Sequence, residues 1–520
     1  MRHCLQASVR PIRHLLIGFG LALALQSQNA TAQTPPMRQE APIPTTLSAQ
    51  TGPQIFNGTC SGCHGKTLAD ERGPSLLSER LLSASDGVLA GKIAKGAAAN
   101  GMPAFESVYS EGQLSQVVAY MRLQAATLKG KPTFVADPDG QIIKSQKQTF
   151  KLEVIARGLD TPWGLSFLPD GRMLVTERAG RLRIIGKDGK LAPEPVAGTP
   201  TPWVRQDGGM LDVAVHPQYS KNGWIYLSYA ELAPGAVPPP PPAPGTSPFR
   251  APNAPSMTVL VRGKIRNNQW VDNQEIFRAP TALYTTSGAH YGSRFLFDQK
   301  GHLFYTLGER GEMKNAQDLS SPLGKIHRVN DDGSVPADNP FVKTPGAIPT
   351  IWSYGHRNPQ GLAWNPVTGQ LWESEHGPTG GDEINIIEPG KNYGWGVISM
   401  GIQPGITKTH EVGMEQPIVY YTPTLAPSGI NFYSGTRYPG WKNNLFVAAL
   451  AGQQLLRLET KGRQVVAQET LFGQFGRTRT VVPGPDGLLY ILLQVPTGSG
   501  TGLSLSAPTP GMVIRLVPIK

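Results

Sequence analysis

The chain has 520 residues, more than one ordinary domain contains, so two to four domains are expected. It holds 60 glycines and 48 prolines but only 16% charged residues, which favours turn-rich β structure and excludes a helical bundle, a coiled coil or a disordered chain. The net charge of +11 is not gathered into long Lys/Arg runs. It therefore favours small anionic ligands or acidic partners over a dedicated nucleic-acid-binding protein.

Residues 1–32 have the layout of a secretory signal peptide. Arg2, Arg10 and Arg13 precede the apolar run Leu15–Leu25, and the small residues Ala30-Thr31-Ala32 follow it. The run is shorter than the roughly 20 residues that span a bilayer. We therefore predict export to the periplasm with cleavage after residue 32. A retained membrane anchor is the alternative. No later stretch is predicted to span a membrane stably.

Residues 60–64 read Cys-Ser-Gly-Cys-His, the pattern of covalent c-type haem attachment. In such a site Cys60 and Cys63 bind the haem vinyl groups, and His64 supplies the proximal nitrogen to iron. A structural zinc site would need a second cysteine pair, and a thioredoxin-like dithiol would need a surrounding βαβ pattern. Neither alternative explains a histidine directly after the second cysteine.

The segment around this motif, residues 50–130, predicts a small helical domain. Apolar residues at helical spacing precede the motif, and Ser110-Glu111-Gly112-Gln113 is a capping box that starts a second amphipathic helix. Between them Pro103 keeps Met102 in a loop, where its thioether is predicted to be the second axial ligand of the iron. Met121 in the helical face is the weaker candidate, and a core-packing role for Met102 is the alternative to ligation.

This segment resembles the class I cytochromes c. The resemblance rests on the order of the candidate ligands Cys60, Cys63, His64 and Met102, and on Gly73-Pro74 in the intervening loop. It implies a carrier of one electron, which does not itself select a substrate.

Residues 151–520 repeat one pattern, an apolar segment, a turn rich in Pro, Asp and Gly, and a second apolar segment. Strands joined by such turns are hairpins, and radial repetition of sheets protects their edges. We predict an all-β six-bladed β-propeller preceded by the small all-α cytochrome c domain, because two β-sandwiches would not give six similar copies. Residues 131–150 are predicted to be the linker, and the proline run 238–244 an exposed loop within a blade. The copies begin near Trp163, Gly209, Gly292, Gly361, Gly429 and Thr480.

Polar clusters stand just before or near the inner apolar segments, where propeller loops usually bind ligands. Three arginines there would repel one another unless they faced a polyanion, and a carboxylate-rich cofactor meets that demand. Glycine and proline carbonyls beside Asp382 and Glu383 suit Ca²⁺. Each cluster, considered alone, also has a simpler explanation. His290 could be an ordinary loop histidine, Arg477 and Arg479 could form a solvated strand face, and the acidic patch could be a turn without a metal. The clusters are 287–292, 355–361, 375–383 and 475–480.

Together these clusters resemble the soluble quinoprotein sugar dehydrogenases, specifically the aldose sugar dehydrogenase branch, over residues 152–520. The most specific stretches are 355–361, 377–378, 382–385 and 392–395. The resemblance implies pyrroloquinoline quinone (PQQ) and Ca²⁺ as cofactors.

The resemblance also implies roles for individual residues. His290 would be the general base, and Arg357 would lie near the reactive quinone carbonyls. The other implied cofactor contacts are Asn358, Arg477 and Arg479, with Asp207 at a position where the family usually has Gln. The carbonyls of Gly377 and Pro378 would hold the catalytic calcium, and Glu383 with the Tyr393 carbonyl a second, structural calcium. Ala451 replaces a lysine that contacts the cofactor in the family.

The hypothesis is therefore oxidation of an aldose, or a related aldehyde such as a sorbosone, at its anomeric carbon to the lactone. Hydride would pass to PQQ, and electrons would pass through haem c to a respiratory acceptor such as a cytochrome or copper protein. Two alternatives remain open: a calcium-dependent propeller lactonase or hydrolase, and a non-catalytic electron-transfer or binding propeller.

Overall fold

The structure is a computed structural model, and no helix in the part of the chain that it describes is long and apolar enough to cross a membrane. The predicted signal peptide and Gly73-Pro74 lie outside the described residues. The described ranges are 50–65, 67–69, 75–78, 81, 84–98, 101–129, 134–240, 252–495 and 510–519.

The N-terminal part is helical. The predicted capping box is confirmed: the backbone N–H of Gln113 donates to Ser110 Oγ over 3.3 Å, and that of Ser110 to Gln113 Oε1 over 3.0 Å. Leu114, Val117 and Val118, three residues of the predicted apolar face, are buried in one core with Phe56. The helices are α1 Gly52–Ile55, α2 Ser61–His64, α3 Asp86–Lys95 and α4 Glu111–Lys129, with a π-helical turn Phe56–Cys60 between α1 and α2.

The remainder forms six antiparallel sheets, called blades 1 to 6 in chain order. This confirms the predicted six-bladed propeller. Blade 1 is β3 Pro162–Phe167, β4 Met173–Glu177 and β5 Arg181–Ile185; blade 2 is β6 Met210–Val215, β7 Ile225–Leu232, β8 Ser256–Arg266 and β9 Gln269–Arg278. Blade 3 is β10 Phe295–Phe297, β11 Leu303–Leu307, β12 Lys325–Val329 and β13 Ile351–Tyr354; blade 4 is β14 Pro359–Trp364, β15 Leu371–Glu375, β16 Asp382–Ile387 and β17 Val419–Tyr421. Blade 5 is β18 Pro427–Phe432, β19 Leu445–Ala449, β20 Gln454–Lys461 and β21 Gln464–Phe472.

Blade 6 closes the ring, because it combines strands from both ends of the propeller. Its order is β1-β2-β24-β23-β22, with Thr149 opposite Ile519 and Asp160 opposite Pro510 in the pairing of β2 with β24. The predicted linker 131–150 contains β1 and the start of β2, so its residues from 142 on include strands of this sheet. The strands are β1 Ile142–Lys144, β2 Thr149–Asp160, β22 Arg477–Pro483, β23 Leu489–Gln494 and β24 Pro510–Ile519.

Each of the six sequence repeats supplies or leads into the first strand of one blade, and these first strands contact one another in a closed ring. Gly361 in β14 shows how closely they pack, because a Cβ there would overlap the carbonyl oxygen of Ser428 in β18. Short helices and 3₁₀ turns occupy the connections: α5 Tyr219–Asn222, α6 Lys314–Gln317, Thr281–Leu283 and Pro439–Trp441.

Hydroxyl groups on second strands join neighbouring blades. In blades 1 to 4 a Ser or Thr on the second strand donates to a backbone carbonyl at or just before the first strand of the next blade. The pairs are Thr176 with Leu211, Ser228 with Ser293, Thr306 with Pro359, and Ser374 with Ser428, at 2.5 to 3.0 Å. These contacts fix the ring and, with it, the loops at its rim.

Candidate functional site

One cavity of about 350 Å³ is lined by segments from all six blades. It brings together every residue for which the resemblance implied contact with PQQ, the catalytic calcium or the substrate hydroxyl. Their roles stay predictions, but their convergence is a property of the fold. They are Asp207, His290, Arg357, Asn358, Gly377, Pro378, Arg477 and Arg479.

His290 lies at this cavity, and a buried carboxylate holds its ring. Nδ1 of His290 is 2.9 Å from Oε1 of Glu309, whose side chain is 2% exposed. Burial would raise the pKa of Glu309, but the hydrogen bond with His290 and the charge of Arg357 hold that pKa below its ordinary value. An ionised Glu309 accepts the Nδ1 proton, which leaves Nε2 as the proton acceptor of the ring. This is the arrangement of an oriented general base.

The loop that carries His290 is held in an uncommon backbone conformation. His290 has φ 59°, a region that non-glycine residues rarely adopt and that costs about 1–3 kcal/mol. Arg310, 1% exposed, donates from Nη1 to Ala289 O and from Nη2 to Ser287 O, both over 2.5 Å. Its guanidinium also lies 3.5 Å from the centre of the Tyr291 ring. Arg310 therefore positions the base without contacting its imidazole.

Arg357 is fixed by blade 4 while its side chain lines the cavity. Its backbone N–H donates to Glu375 Oε2 over 2.6 Å, and its Nη1 donates to the carbonyl of His376 over 3.2 Å. The guanidinium lies 5.1 Å from the centre of the Trp395 ring. The side chain is thus held at a defined place in the wall.

Asn358 joins two blades at the cavity wall. Its Oδ1 accepts from the backbone N–H of Gly292 over 3.1 Å and from Nε2 of Gln360 over 3.2 Å. The side chain therefore ties the entry of β14 to the loop that carries His290, in addition to any contact with a ligand.

The cavity is strongly basic. Its lining contains one carboxylate, that of Asp207, and four arginines: Arg178, Arg357, Arg477 and Arg479. Burial lowers the pKa of each of these arginines, that of Arg477 to about 10, while the negative charge of Asp207 acts to raise all four. The aspartate that replaces the usual glutamine is therefore compensated by arginine.

The arginines fit a ligand with several carboxylates. Among the described residues, the buried Nε atoms of Arg357 and Arg479 have no hydrogen-bond partner, which leaves donors for a ligand at the cavity. Arg477 and Arg479 are only 7% and 9% exposed, so they are not a solvated strand face. Arg479 lies 4.0 Å from the centre of the Trp163 ring, which also lines the cavity. PQQ, an aromatic polycarboxylate, matches this combination of guanidinium groups and an indole.

Glu383 and Tyr393, implied as ligands of the second calcium, line a smaller neighbouring cavity of about 10 Å³. Arg357, Gly377 and Pro378 line both cavities. The two predicted calcium positions therefore share a wall.

Three carboxylates cluster at this smaller cavity, and two of them, Glu375 and Glu383, line it. Glu373 and Glu375 are buried and Glu383 is half-buried, and Nδ2 of Asn385 lies 3.2 to 3.5 Å from an oxygen of each. Burial, and next the charge of Glu375, raise the pKa of Glu373 and Glu383 well above the ordinary value. Oε1 of Glu373 and Oδ1 of Asn385 have no partner among the described residues. Ligand atoms of His356, Glu373 and Glu375 lie within 4.8 Å of one another. An oxygen-rich group of this charge suits a divalent cation such as Ca²⁺.

Asp382, by contrast, organises the adjacent turn. Its carboxylate accepts from the backbone N–H groups of Gly377, Leu425 and Ala426 over 2.5 to 2.8 Å. These contacts are those of a turn residue, which was the alternative to a calcium role for Asp382.

The haem-attachment motif lies at the edge of the helical core. Cys60 and Met102 both pack against this core. Burial, with the neighbouring charge of Cys63, raises the pKa of the Cys60 thiol to about 11. His64 and Met102 as axial ligands stay predictions, and Met121 also packs against this core.

The sequence analysis missed Glu309, Arg310, Arg178 and Glu373. Glu309 and Arg310 follow the second strand of blade 3 closely, and Arg178 follows that of blade 1 directly. In an antiparallel hairpin, the entry of the first strand and the exit of the second lie at the same end. Charged residues at second-strand exits were thus a readable signal, whereas Glu373 lies within a strand and gave none.

Comparison with known proteins shows the family to which the chain belongs. Residues 159–501 match the family described as glucose/sorbosone dehydrogenase, and residues 48–121 match the family of the cbb3-type cytochrome c oxidase subunit III. The chain therefore belongs to the glucose/sorbosone dehydrogenase family of PQQ-dependent sugar oxidoreductases, and it carries an N-terminal cytochrome c domain.

Individual relatives are aldose sugar dehydrogenases. The chain is 39% identical over 360 residues to such an enzyme of Escherichia coli, which covers 67% of this chain and 91% of that protein. The apo crystal structure of the Escherichia coli aldose sugar dehydrogenase has a TM-score of 0.62 at 35% identity, covering 71% of this chain and all of that one. The PQQ-bound aldose sugar dehydrogenase of Streptomyces coelicolor has a TM-score of 0.55 at 27% identity, covering 73% of this chain and all of that one.

Proposed function

We propose that this protein is a periplasmic quinohaemoprotein that oxidises aldoses, or related aldehydes, at the anomeric carbon to the lactone. The observation that carries the proposal is the His290–Glu309 pair at the edge of an arginine-rich cavity. The pair offers a base for a sugar hydroxyl, and the cavity offers a seat for a carboxylate-rich acceptor. The periplasmic location rests on the signal-like residues 1–32.

In this proposal the side chains bind, orient and move a proton. Nε2 of His290 takes the proton of the anomeric hydroxyl, while Glu309 stabilises the resulting imidazolium through Nδ1. Arg357 lies close enough to polarise a carbonyl in the cavity, and Arg477 and Arg479 pair with carboxylates. PQQ, when bound, supplies the two-electron acceptor for the hydride that leaves the anomeric carbon.

Calcium has two places in the proposal. The backbone of Gly377 and Pro378 faces the main cavity, and Glu383 and Tyr393 face the smaller one. Hard oxygen ligands of this kind are those that Ca²⁺ prefers. The ion at the main cavity would add positive charge beside Arg357, and the other would neutralise buried carboxylates.

The electrons then leave one at a time. Oxidation of one aldose to its lactone releases two electrons and two protons, and one ferric haem accepts one electron. Cys60, Cys63, His64 and Met102 would hold the haem, which would supply a carrier for one electron at a time, so two transfers would be needed per sugar. Between these events a one-electron respiratory acceptor, such as a cytochrome or a copper protein, would reoxidise it.

The test is to purify the haem-loaded protein, add PQQ and Ca²⁺, and follow the reduced-haem band after glucose is added. We expect the band to rise only when PQQ, Ca²⁺ and sugar are all present. Hydrolysis of a lactone by protein with Ca²⁺ but without PQQ would instead support the hydrolase alternative. A haem that stays ferric with every aldose and aldehyde offered, and no binding of PQQ, would support the non-catalytic alternative.

A further inference from the structure

Helix α4 of the helical domain lies directly against a loop of blade 4. A Cβ on Gly112 would overlap the carbonyl oxygen of Thr407, so only glycine permits this approach. One helical turn further, Nε2 of Gln116 donates to the carbonyl of Ile406 over 3.1 Å. Gly112 and Gln116 are four residues apart and therefore lie on one helix face. We call this face the docking face.

Gln116 also reaches the helix that leads to the haem motif. Its Oε1 accepts from the backbone N–H of Gly52 at the start of α1 over 3.2 Å, and its side chain is 7% exposed. A Cβ on Gly52 would overlap the backbone of Gln116. One buried amide thus joins α1, α4 and the blade 4 loop, and both of its ends are used.

An electrostatic influence between the two domains accompanies these contacts. Tyr420 in β17 is partly buried, and burial, followed by the charge of Asp86, raises its pKa. Asp86 is paired with Arg122 of α4 over 3.0 Å, with both side chains about a tenth exposed. The carboxylate of Asp86 in the helical domain is therefore near enough to Tyr420 to influence its ionisation.

The loop under the docking face also contributes Trp395, Ile398 and Ser399 to the wall of the smaller cavity. Ile406 packs in one hydrophobic cluster with Trp395, and the Trp395 ring lies beneath the guanidinium of Arg357. The backbone N–H of Ile402 donates to the carbonyl of Thr379 over 3.1 Å, next to Pro378 in the wall. Packed contacts thus run without a gap from the cavity to the docking face.

We infer that the docking face holds the helical domain at a fixed place on this loop, and that electron delivery from the cavity to the haem depends on this docking. The inference rests on the proposed function and adds the surface through which the two domains work together. The inference excludes a helical domain that is joined to the propeller only through the linker. Such a domain would not need the close approach at Gly112 or the buried amide of Gln116.

The test substitutes the glycine of the docking face. In Gly112→Glu the side chain cannot fit against Thr407, whereas an acidic residue in the first turn of α4 favours the helix itself. The matched control is Gly91→Glu in α3, where a Cβ meets nothing within 4 Å. Gln116→Leu is a second variant, which keeps the helix and removes both hydrogen bonds of the amide.

Three measurements are made on the full haem- and PQQ-loaded chain. They are the sugar-dependent reduction of a small dye, the single-turnover rate of sugar-dependent haem reduction, and the radius of gyration in solution. For Gly112→Glu we expect dye reduction within twofold of wild type, haem reduction slower by at least tenfold, and a larger radius. Gln116→Leu should lie between Gly112→Glu and wild type, and Gly91→Glu should match wild type in all three.

The outcomes separate this inference from the proposed function. If the wild-type chain reduces both dye and haem, and the two docking-face variants reduce haem at the wild-type rate, the inference is wrong and the proposed function stands. An unchanged radius in both variants would also overturn the docking face. If the wild-type chain reduces neither dye nor haem with any sugar, both proposals fall.

Discussion

At the scale of single residues, the proposed chemistry depends on one imidazole and on the groups that orient it. His290 needs Glu309 for its tautomer and Arg310 for its backbone conformation. Neither supporting residue needs to touch the sugar. The two kinds of role can therefore be separated by mutation.

We expect His290→Ala to lower kcat about 10²- to 10⁴-fold, since the proton acceptor is lost, with PQQ affinity unchanged because the arginines remain. Glu309→Gln should lower kcat less and leave KM for the sugar nearly unchanged, because the imidazole remains but loses its charged partner. Sugar-dependent dye reduction, together with a PQQ titration, measures both effects. Wild-type turnover in His290→Ala would remove the base assignment.

Much of this site was readable from the sequence, because the fold repeats. His290, Arg357 and Asn358 precede first strands and Arg477 begins one, so a search before the inner apolar segments found them. Glu309 was not predicted because the same search did not cover the second-strand exit of blade 3. Arg178, one of the four arginines that compensate Asp207, was also not predicted, since it is close to Asp207 only in the folded ring.

At the scale of elements, the sequence predicted the repeats but not what joins them. Several repeats begin near a glycine, and one of these, Gly361, lies within β14 and faces the next blade. The blade-to-blade hydroxyls, such as that of Ser374, could not be told from ordinary strand residues. Both features concern contacts between neighbouring repeats, and the pattern within one repeat does not show them.

Gly361→Ala should lower the stability of the propeller by about 1–3 kcal/mol, because the added methyl group overlaps Ser428 in β18 and forces β14 and β18 apart. Gly369→Asn is the control: Gly369 also lies in this hairpin, has φ 69° and open space around it, and asparagine tolerates that conformation. Thermal unfolding followed by tryptophan fluorescence compares the two. Equal unfolding midpoints would show that the ring can open at this position without cost.

At the scale of the whole molecule, the helical domain and the propeller were each predicted, but their contact was not. Gly112 and Gln116 lie in and just after a capping box, where their sequence signal is that of a helix start. Their partners, Ile406 and Thr407, are almost 300 residues away in the sequence. Only the fold brings such positions together.

The last prediction concerns the charge balance of the whole propeller. The buried carboxylates of Glu373 and Glu375, with Glu383 beside them, oppose folding unless a cation or protons neutralise them. A cation that binds only the folded state stabilises it by about 2.7 kcal/mol when its concentration is 100 times its dissociation constant. Removing calcium with a chelator should therefore lower the unfolding midpoint of the propeller.

Glu373→Gln should reduce that loss, since one buried charge fewer is left uncompensated, whereas Glu194→Gln on the surface should not. Circular dichroism with and without chelator measures the midpoints, and a midpoint that the chelator does not change would contradict a structural cation at this cluster.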